Sequence, residues 1–224
     1  MRVFIICRDR LSGIEKLLPW VDHMDVTFVD NASTYPPLLE FYAHTHHKVY
    51  RSDSNRGHRA PWIYGLTPAW ERYIVTDPDV IPDDDCPADW CTVMQTVLKE
   101  SGAKKVGFGL RIDDIPDHYA AKEQVLKWEG PLWGCREDVA GYKAHAVPID
   151  TTFAMYAEGT RCGEFESPSD IWPAYRLGEP YVARHLPWYS DSANPTEEDV
   201  YYREHAEPSI VNWTFDRASS SHGG

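Results

Sequence analysis

The sequence is poor in basic residues. It has 22 Lys and Arg against 35 Asp and Glu, which leaves a formal net charge of −13 at pH 7. Proteins that bind the phosphate backbone of nucleic acids carry a basic patch or stripe. This sequence shows none, so we expect no nucleic-acid partner. An acidic protein can still bind an anionic ligand when a divalent cation lies between the two.

Long apolar runs are missing as well. A transmembrane helix requires about 18 or more consecutive apolar residues, and no such run occurs, so we expect no integral membrane segment. The N-terminal MRVFIICRDR is too short, and is interrupted by charge too early, for a signal peptide. We expect it to form a first β-strand instead.

Cysteine is scarce, and its spacing is not that of a metal site or a disulfide framework. The five cysteines include no CxxC pair, and their number is odd. That pattern is typical of a reduced chain and predicts a cytoplasmic protein. The phosphate-loop, GxGxxG and GxSxG signatures are also missing, so nothing supports a kinase, a dehydrogenase or a serine hydrolase.

The sequence does contain a regular alternation of strand-like and helix-like segments over its first 110 residues. Short apolar runs predict buried strands at 3–7, 26–30, 48–51, 72–76 and 105–110. Helical spacing and capping signals predict helices at 11–20, after residue 34, and after a turn at 82–85. This order predicts an α/β fold with a mostly parallel sheet flanked by helices.

The alternation breaks after residue 110. We expect a helix at 118–128, strands of mixed or antiparallel pairing at 151–156 and 181–186, and a late helix at 197–206. No repeat or low-complexity linker divides the chain. We therefore expect a single domain over 1–216, with a mixed and irregular C-terminal half, and a disordered tail at 217–224.

Polar residues at the strand ends are the first candidates for chemistry, because ligands of parallel sheets bind beyond the carboxyl ends of the strands. Asp77 and Asp79 flank Pro78 after an apolar strand. In extended geometry their carboxylates point to the same side and repel each other unless a cation or a hydroxyl donor lies between them. Such oxygen ligands suit Mg²⁺ or Mn²⁺ bound with phosphate oxygens. The alternative is a solvated acidic turn.

Four motifs in order carry a resemblance to a known family. VFIICR, VDNAST, SNRGHRAPW and YIVTDPDVIP together resemble the GT-A fold nucleotide-sugar glycosyltransferases, and are most similar to family 2. The resemblance covers roughly the first 110 residues in order and the remainder more loosely. It implies a Rossmann-like nucleotide-diphospho-sugar transferase fold with a nucleotide-sugar-binding half at 1–110 and an acceptor-binding half at 111–216.

The resemblance also implies roles for residues of the first half. Asp30 matches the acid that contacts the nucleotide base, and Asn55 and Arg56 match the polar loop beside the nucleotide. Asp77 matches the acid that contacts ribose or metal, and Asp79 matches the metal ligand that follows it. Arg8 and Arg56, like Arg59, could add phosphate contacts, and the alternative for each is a surface ion pair.

Residues of the second half complete the implied site. His185 resembles the C-terminal histidine that completes the metal shell, and its alternative is a structural histidine between Leu186 and Trp188. Asp150 resembles by position the base of inverting members, although their usual Glu-Asp pair is absent. The alternative for Asp150 is a turn cap on Thr151–Thr152. Rival bases are Asp113, Asp114 and Glu129, and a retaining outcome stays open.

Aromatic residues become dense after residue 125. Sugar C–H faces stack on aromatic rings, so Trp128 and Trp133 are the candidate acceptor-binding residues. Core packing is the alternative for each tryptophan.

The leading hypothesis is a glycosyltransferase that depends on Mn²⁺ or Mg²⁺. It would move a sugar from a nucleotide-diphosphate donor, with a UDP-sugar as the first choice, to a carbohydrate or glycolipid hydroxyl in polysaccharide or lipopolysaccharide synthesis. A membrane-bound acceptor would allow peripheral association at the inner face of the membrane. The alternatives are a sugar-phosphate nucleotidyltransferase, of whose N-terminal loop RDRLSG is a poor version, and a non-catalytic carbohydrate-binding domain.

Overall fold

Ten strands form one sheet in the computed structural model of the protein, which describes residues 1–150, 152–161 and 167–206. The strands are β1 (Arg2–Cys7), β2 (Asp25–Asp30), β3 (Lys48–Arg51), β4 (Tyr73–Thr76), β5 (Val80–Pro82), β6 (Lys105–Leu110), β7 (Arg136–Val139), β8 (Tyr142–Ala146), β9 (Ala154–Tyr156) and β10 (Ala174–His185). The α-helices of the described residues are α1 (Ser12–Val21), α2 (Pro36–His44), α3 (Ala60–Ile63), α4 (Trp90–Ser101), α5 (Lys122–Glu129) and α6 (Glu197–His205).

The sheet order is β3-β2-β1-β4-β9-β6-β10-β8-β7, and β5 pairs with β10 beside this path. The pairs of β1 with β2 and β4, of β2 with β3, and of β6 with β10 are parallel. The other pairs are antiparallel, so β5, β8 and β9 run against the remaining strands. The predicted α/β fold with a mostly parallel sheet and a mixed second half is confirmed.

Both faces of the sheet are covered by hydrophobic cores. This double burial explains why residues 3–7 of β1 are a continuous apolar run. Val3, Ile5 and Cys7 belong to the larger hydrophobic core on one face. Phe4 and Ile6 belong to a second core on the other face. Because side chains alternate between faces along a strand, a strand buried on both sides has no polar positions.

Helices α1 and α4 pack on the larger core through the faces that their spacing predicts. The buried residues of α4 are Trp90, Val93, Met94, Val97 and Leu98. The helix ends at Gly102, which adopts a left-handed φ of +67°. In α1, a Cβ added to Gly13 would lie 2.5 Å from the backbone oxygen of Pro78, so glycine permits close approach of the helix to the Asp77–Asp79 segment.

The structure differs from the predicted elements in four places. Residues 80–82, which overlap the predicted turn at 82–85 only in their last residue, form β5. Strand β10 begins at Ala174 rather than at 181. The hairpin of β7 and β8 was not predicted, since β7 is the polar, largely exposed segment REDV. The helix predicted at 118–128 is limited to α5. Thr151 and residues 207–224, including the predicted tail, lie outside the described residues.

Candidate active site

A cavity of about 400 Å³ opens where the parallel strands end, and we call it the strand-end cavity. It brings together eight of the residues that the sequence analysis selected, which are Arg8, Asn55, Asp77, Asp79, Trp128, Glu129, Asp150 and His185. Asp30, Arg56 and Trp133 are not among the described residues that line it. The location agrees with the rule that ligands of such sheets bind beyond the carboxyl ends of the strands.

Asp79 and His185 face each other in this cavity because β5 pairs with the end of β10. His185 is the register partner of Val80, and the Leu186 amide donates to the Asp79 carbonyl at 2.8 Å. The two side chains approach to 3.7 Å between Asp79 Oδ1 and His185 Nε2. Asp79 Oδ1 is buried and has no hydrogen-bond partner among the described residues.

These side chains fit a divalent metal ion. An unpartnered buried carboxylate oxygen beside an imidazole nitrogen is costly unless a ligand satisfies it, and oxygen with imidazole is a normal donor set for Mn²⁺. Asp77 lines the same cavity. Among the described residues, Asp77, Asp79 and His185 do not form a set whose ligand atoms all lie within 4.8 Å, so ligand or water oxygens would complete the coordination.

The loop after β1 is held rigidly against the loop after β2. Arg8 Nη1 donates to the carbonyls of Asn31 and Ala32 at 2.5 and 3.1 Å. The buried Asp9 carboxylate accepts from the amides of Thr34 and Tyr35 at 2.6 and 2.8 Å. Asp9 and Ala32 both have positive φ, 48° and 58°, which is uncommon for non-glycine residues and often found at functional sites.

Asn31 positions the polar loop that contains Asn55. Asn31 Oδ1 accepts from the Arg56 amide at 3.1 Å, and Asn31 Nδ2 donates to the Gly57 carbonyl at 3.1 Å. Asn55 Oδ1 accepts from the Gly57 amide at 2.8 Å, an Asx turn that uses the positive φ of Gly57. Asn55 therefore faces the cavity, whereas Arg56 is exposed away from it.

Asp30 lies below the cavity lining and is fully buried. Its carboxylate accepts from the Ser33 amide at 3.2 Å, the Tyr42 hydroxyl at 3.2 Å and Arg51 Nε at 3.3 Å. These three donors give Asp30 a structural role at the end of β2. A carboxylate can accept about four hydrogen bonds, so burial rather than these donors keeps a ligand from Asp30, and its contact with a nucleotide base stays a prediction.

Asp150 lines the opposite part of the cavity, and its Oδ1 accepts from the Thr152 amide at 3.0 Å. The turn cap predicted as the alternative is therefore present at Thr152, and Asp150 also lines the cavity, while its role as a base stays a prediction. The side chain of Asp150 is exposed to solvent through the cavity, although protein atoms surround its carboxyl group. Burial acts to raise the pKa of Asp150, and the charge of Arg176 with the hydrogen bond from Thr152 outweighs it, so the pKa is lowered. Asp150 is thus ionised at neutral pH.

Glu129 is the other acid on this side of the cavity. Arg176 Nη1 donates to Glu129 Oε2 at 2.6 Å, and Arg176 Nε donates to the Pro148 carbonyl at 3.0 Å. Burial and the negative charge of Asp150 raise the pKa of Glu129 against the opposing effect of Arg176. The pKa values of the two carboxyls are therefore shifted in opposite directions.

The other rival bases lie outside the lining of the strand-end cavity. Asp113 pairs with Arg111 Nε at 3.1 Å, and Asp114 accepts from Arg184 and from the Tyr189 hydroxyl. His58, which lies in the SNRGHRAPW motif but was not selected as a site residue, lines the cavity. Its pKa is lowered by burial and by Arg59, although Asp150 acts in the opposite direction, so its imidazole is neutral at pH 7.

The two candidate acceptor tryptophans are in different places. Trp128 lies at the rim of the strand-end cavity, with 68% of its surface exposed. Trp133 lines a separate cavity of about 320 Å³ and packs edge-on against His145, with ring centroids 5.2 Å apart. The structure therefore brings only Trp128 of this pair to the candidate site.

The C-terminal helix α6 forms part of the cavity wall through Tyr202. The sequence analysis did not predict this contribution. Tyr202 of α6 lines the cavity with Arg10, and the Arg10 guanidinium lies 4.2 Å from the Tyr202 ring centroid. Arg8 Nη2 donates to the His205 carbonyl at 3.3 Å. No local signal places a late helix over the first strand. Arg10 itself could have been selected, since it follows β1 in the same RDR segment as Arg8.

No family model matches this chain, and no curated protein matches it. Among solved structures, it is similar to the mannosyltransferase PcManGT from Pyrobaculum calidifontis in complex with GDP-Man and Mn²⁺, with a TM-score of 0.54 and 18% identity. The alignment covers 86% of this chain and 58% of that one, so this chain spans little more than half of its length. 4-Diphosphocytidyl-2C-methyl-D-erythritol synthase aligns at a TM-score of 0.43 and 10% identity, over 90% of this chain and 95% of that one.

At such identities the similarity extends to the fold alone. The chain shares the α/β fold of the mannosyltransferase, with a mostly parallel sheet flanked by helices. Within the described residues, no helix combines the length and the apolar character needed to cross a bilayer.

Proposed function

We propose that this protein is a metal-dependent glycosyltransferase, which moves a sugar from a nucleotide-diphosphate donor to a hydroxyl of a carbohydrate acceptor. The observation that carries the proposal is the unpartnered Asp79 Oδ1, 3.7 Å from His185 Nε2 in a cavity at the strand ends. The mannosyltransferase with the same fold binds GDP-Man and Mn²⁺, which supports both the donor class and the metal.

The donor side of the cavity would hold the nucleotide diphosphate. Asp79 and His185 would bind the divalent ion, with Asp77 beside them. Such an ion supplies electrostatic stabilisation to a diphosphate leaving group as negative charge develops on it. Arg8 and Arg10, which line the same cavity, would add charged hydrogen bonds to phosphate oxygens.

The acceptor side would activate the attacking hydroxyl. In an inverting reaction one general base takes the hydroxyl proton, and we assign this role to Asp150 because its ionised carboxylate lines the cavity. Trp128 at the rim offers a face on which a sugar ring can stack. A surface polysaccharide or lipopolysaccharide precursor is the acceptor class that we propose.

Thermal melting with nucleotides tests this proposal directly. UDP, GDP, dTDP, ADP and CDP are each added to the wild type with and without Mn²⁺. We expect one nucleotide to raise the Tm by about 5 °C or more, since a ligand at one hundred times its Kd adds about 2.7 kcal/mol. The shift should require Mn²⁺ and should vanish in Asp79→Asn, which keeps the backbone contact of Asp79 with Leu186.

Asp53→Asn is the matched control, because Asp53 is exposed and outside the cavity lining, and it should retain the shift. A folded wild type that responds to no nucleotide contradicts the proposal. A response to triphosphates with release of pyrophosphate indicates a nucleotidyltransferase instead. Binding of a sugar without nucleotide or metal indicates a carbohydrate-binding domain.

A further inference from the structure

A second group of metal-ligand side chains lies far from the strand-end cavity. Asp22 is the C-cap of α1, and His46 and His47 form the turn between α2 and β3. This turn leads into the amino end of β3, whereas the strand-end cavity lies beyond the carboxyl ends of the strands. We call Asp22, His46 and His47 the His–Asp cluster. It shares no residue with the candidate active site.

The ligand atoms of the His–Asp cluster already converge. His47 Nε2 is 2.9 Å from Asp22 Oδ1, and His46 Nε2 is 3.6 Å from the same oxygen. One ligand atom from each of the three residues lies within 4.8 Å of the others. In the part of the chain that the structure describes, this is the only such set of three His, Cys, Asp or Glu side chains.

Packing fixes one ligand of the cluster and leaves the others accessible. The His47 side chain is only 5% exposed, and its ring packs edge-on against Phe28 with centroids 5.8 Å apart. Its amide donates to Thr45 Oγ1 at 3.3 Å, which holds the turn. The side chains of His46 and Asp22 are 77% and 56% exposed, so an ion can reach them from solvent.

We propose that the His–Asp cluster binds a divalent transition-metal ion, with Zn²⁺ as the ion that fits best. Two imidazole nitrogens and one carboxylate oxygen are a normal zinc donor set, with metal–ligand distances of about 2.0–2.2 Å and water able to take the fourth position. Mg²⁺ and Ca²⁺ are disfavoured because they take oxygen ligands.

Binding requires a defined change of protonation. The Nε2 of His47 that lies 2.9 Å from Asp22 Oδ1 binds the metal through its lone pair. A proton on that nitrogen is released to solvent, and the neutral imidazole carries its hydrogen on Nδ1. The ion takes the place of the proton between Asp22 and His47 and is also bound by the His46 imidazole. It therefore links the end of α1 to the turn before β3.

Zinc binding to single variants tests the proposal. Affinity is measured by competition with a chromogenic chelator, and the Tm is measured with and without Zn²⁺. We expect Asp22→Asn and His46→Ala to weaken Zn²⁺ binding by more than about tenfold, since loss of an outer-shell partner alone costs metal sites about 10–100-fold. We expect both variants to lose the Zn²⁺-induced rise in Tm. His46 is exposed, so its replacement leaves the fold intact.

Two further variants separate this site from other sources of binding. Asp79→Asn removes the carboxylate proposed to bind metal in the strand-end cavity, and this variant should still bind Zn²⁺ at the His–Asp cluster. His23→Ala changes an exposed histidine next to Asp22 and should bind Zn²⁺ as the wild type does. The proposal is overturned if Asp22→Asn and His46→Ala bind Zn²⁺ as tightly as the wild type. It is also overturned if His23→Ala weakens Zn²⁺ binding as much as His46→Ala does, or if Asp79→Asn abolishes all Zn²⁺ binding.

Discussion

The carboxylates of Asp150 and Glu129 lie on one side of the strand-end cavity, and Arg176 influences both. Arg176 is 5% exposed and bonds directly to Glu129, while its charge lowers the pKa of Asp150. Lys105 adds a second buried cation nearby and donates to the Ile149 and Pro168 carbonyls. Asp150 is thus ionised and available, whereas Glu129 is engaged in an ion pair.

This difference predicts opposite results for two isosteric substitutions. With the donor nucleotide sugar identified by melting, we expect Asp150→Asn to lower kcat for transfer about 10²–10⁴-fold, the usual contribution of a general base. Nucleotide-induced stabilisation should be unchanged, because Asp150 lies on the side of the cavity that we propose for the acceptor. Glu129→Gln, the matched control, retains an acceptor for Arg176 and should keep most of the turnover. Loss of turnover in Glu129→Gln but not in Asp150→Asn would make Glu129 the base.

Among the elements, α6 is docked by charge rather than by a broad apolar face. Glu198 accepts from the amides of Leu11 and Ser12 at 2.7 and 3.0 Å and so caps the N-terminus of α1, whose own N-cap side chain makes no such bond. Asp199 accepts from Arg10 Nη1 at 2.5 Å and forms a capping box with Thr196.

The docking of α6 predicts a pH-dependent stability. Burial acts to raise the pKa of Asp199, but bonds from Arg10 and Thr196 outweigh it and hold that pKa below its usual 3.8. A lowered pKa in the folded state contributes stability above the unfolded value, and this stability is lost as the pH falls through the folded pKa. We expect Asp199→Asn to reduce the free energy of unfolding at pH 7 by about 1 kcal/mol.

Urea unfolding of wild type and Asp199→Asn at pH 7 and at successively lower pH measures this effect. The difference between the two should begin to shrink as the pH falls below the usual value of 3.8, where the unfolded carboxyl takes up a proton. It should vanish once the pH lies below the folded pKa, where the wild-type carboxyl is neutral in both states. Glu197→Gln removes the same charge from the same turn of α6, at an exposed position, and should cost less. A difference that is constant with pH would show that the Asp199 charge does not dock the helix.

At the scale of the whole molecule, the two halves of the sequence share one sheet. β9 lies between β4 and β6 and is antiparallel to both. β10 continues the sheet from β6 and also holds β5. Residues 1–110 alone would therefore leave β4 and β6 without the strand that joins them.

We expect a fragment of residues 1–110 to lack a cooperative unfolding transition. The full chain should unfold in one transition that coincides by far-UV circular dichroism and by tryptophan fluorescence, the behaviour of a single cooperative unit. The missing β9 would expose the apolar residues of β4, whose four positions are all buried. A sharp transition in the fragment would show that residues 1–110 fold by themselves.

The sequence by itself determined the elements whose pattern is local. Burial on both faces leaves a continuous apolar run, which predicts β1, β2 and β6. Burial on one face leaves a helical period, which predicts α4, and Gly102 marks its end. The acids after β4 could be selected for the same reason, since polar residues that follow a buried strand of a parallel sheet lie at the ligand-binding edge.

Only the tertiary structure decided which side chains contact the acids that follow β4. Asp79 lies beside His185 because three-residue β5 pairs with the end of β10, and the partner of so short a strand depends on packing between distant segments. The same holds for Tyr202 over Arg10 and for Arg176 beside Glu129. Side chains that are far apart in sequence carry no period that relates them, so their contact is set by the burial and charge pairing of the whole fold.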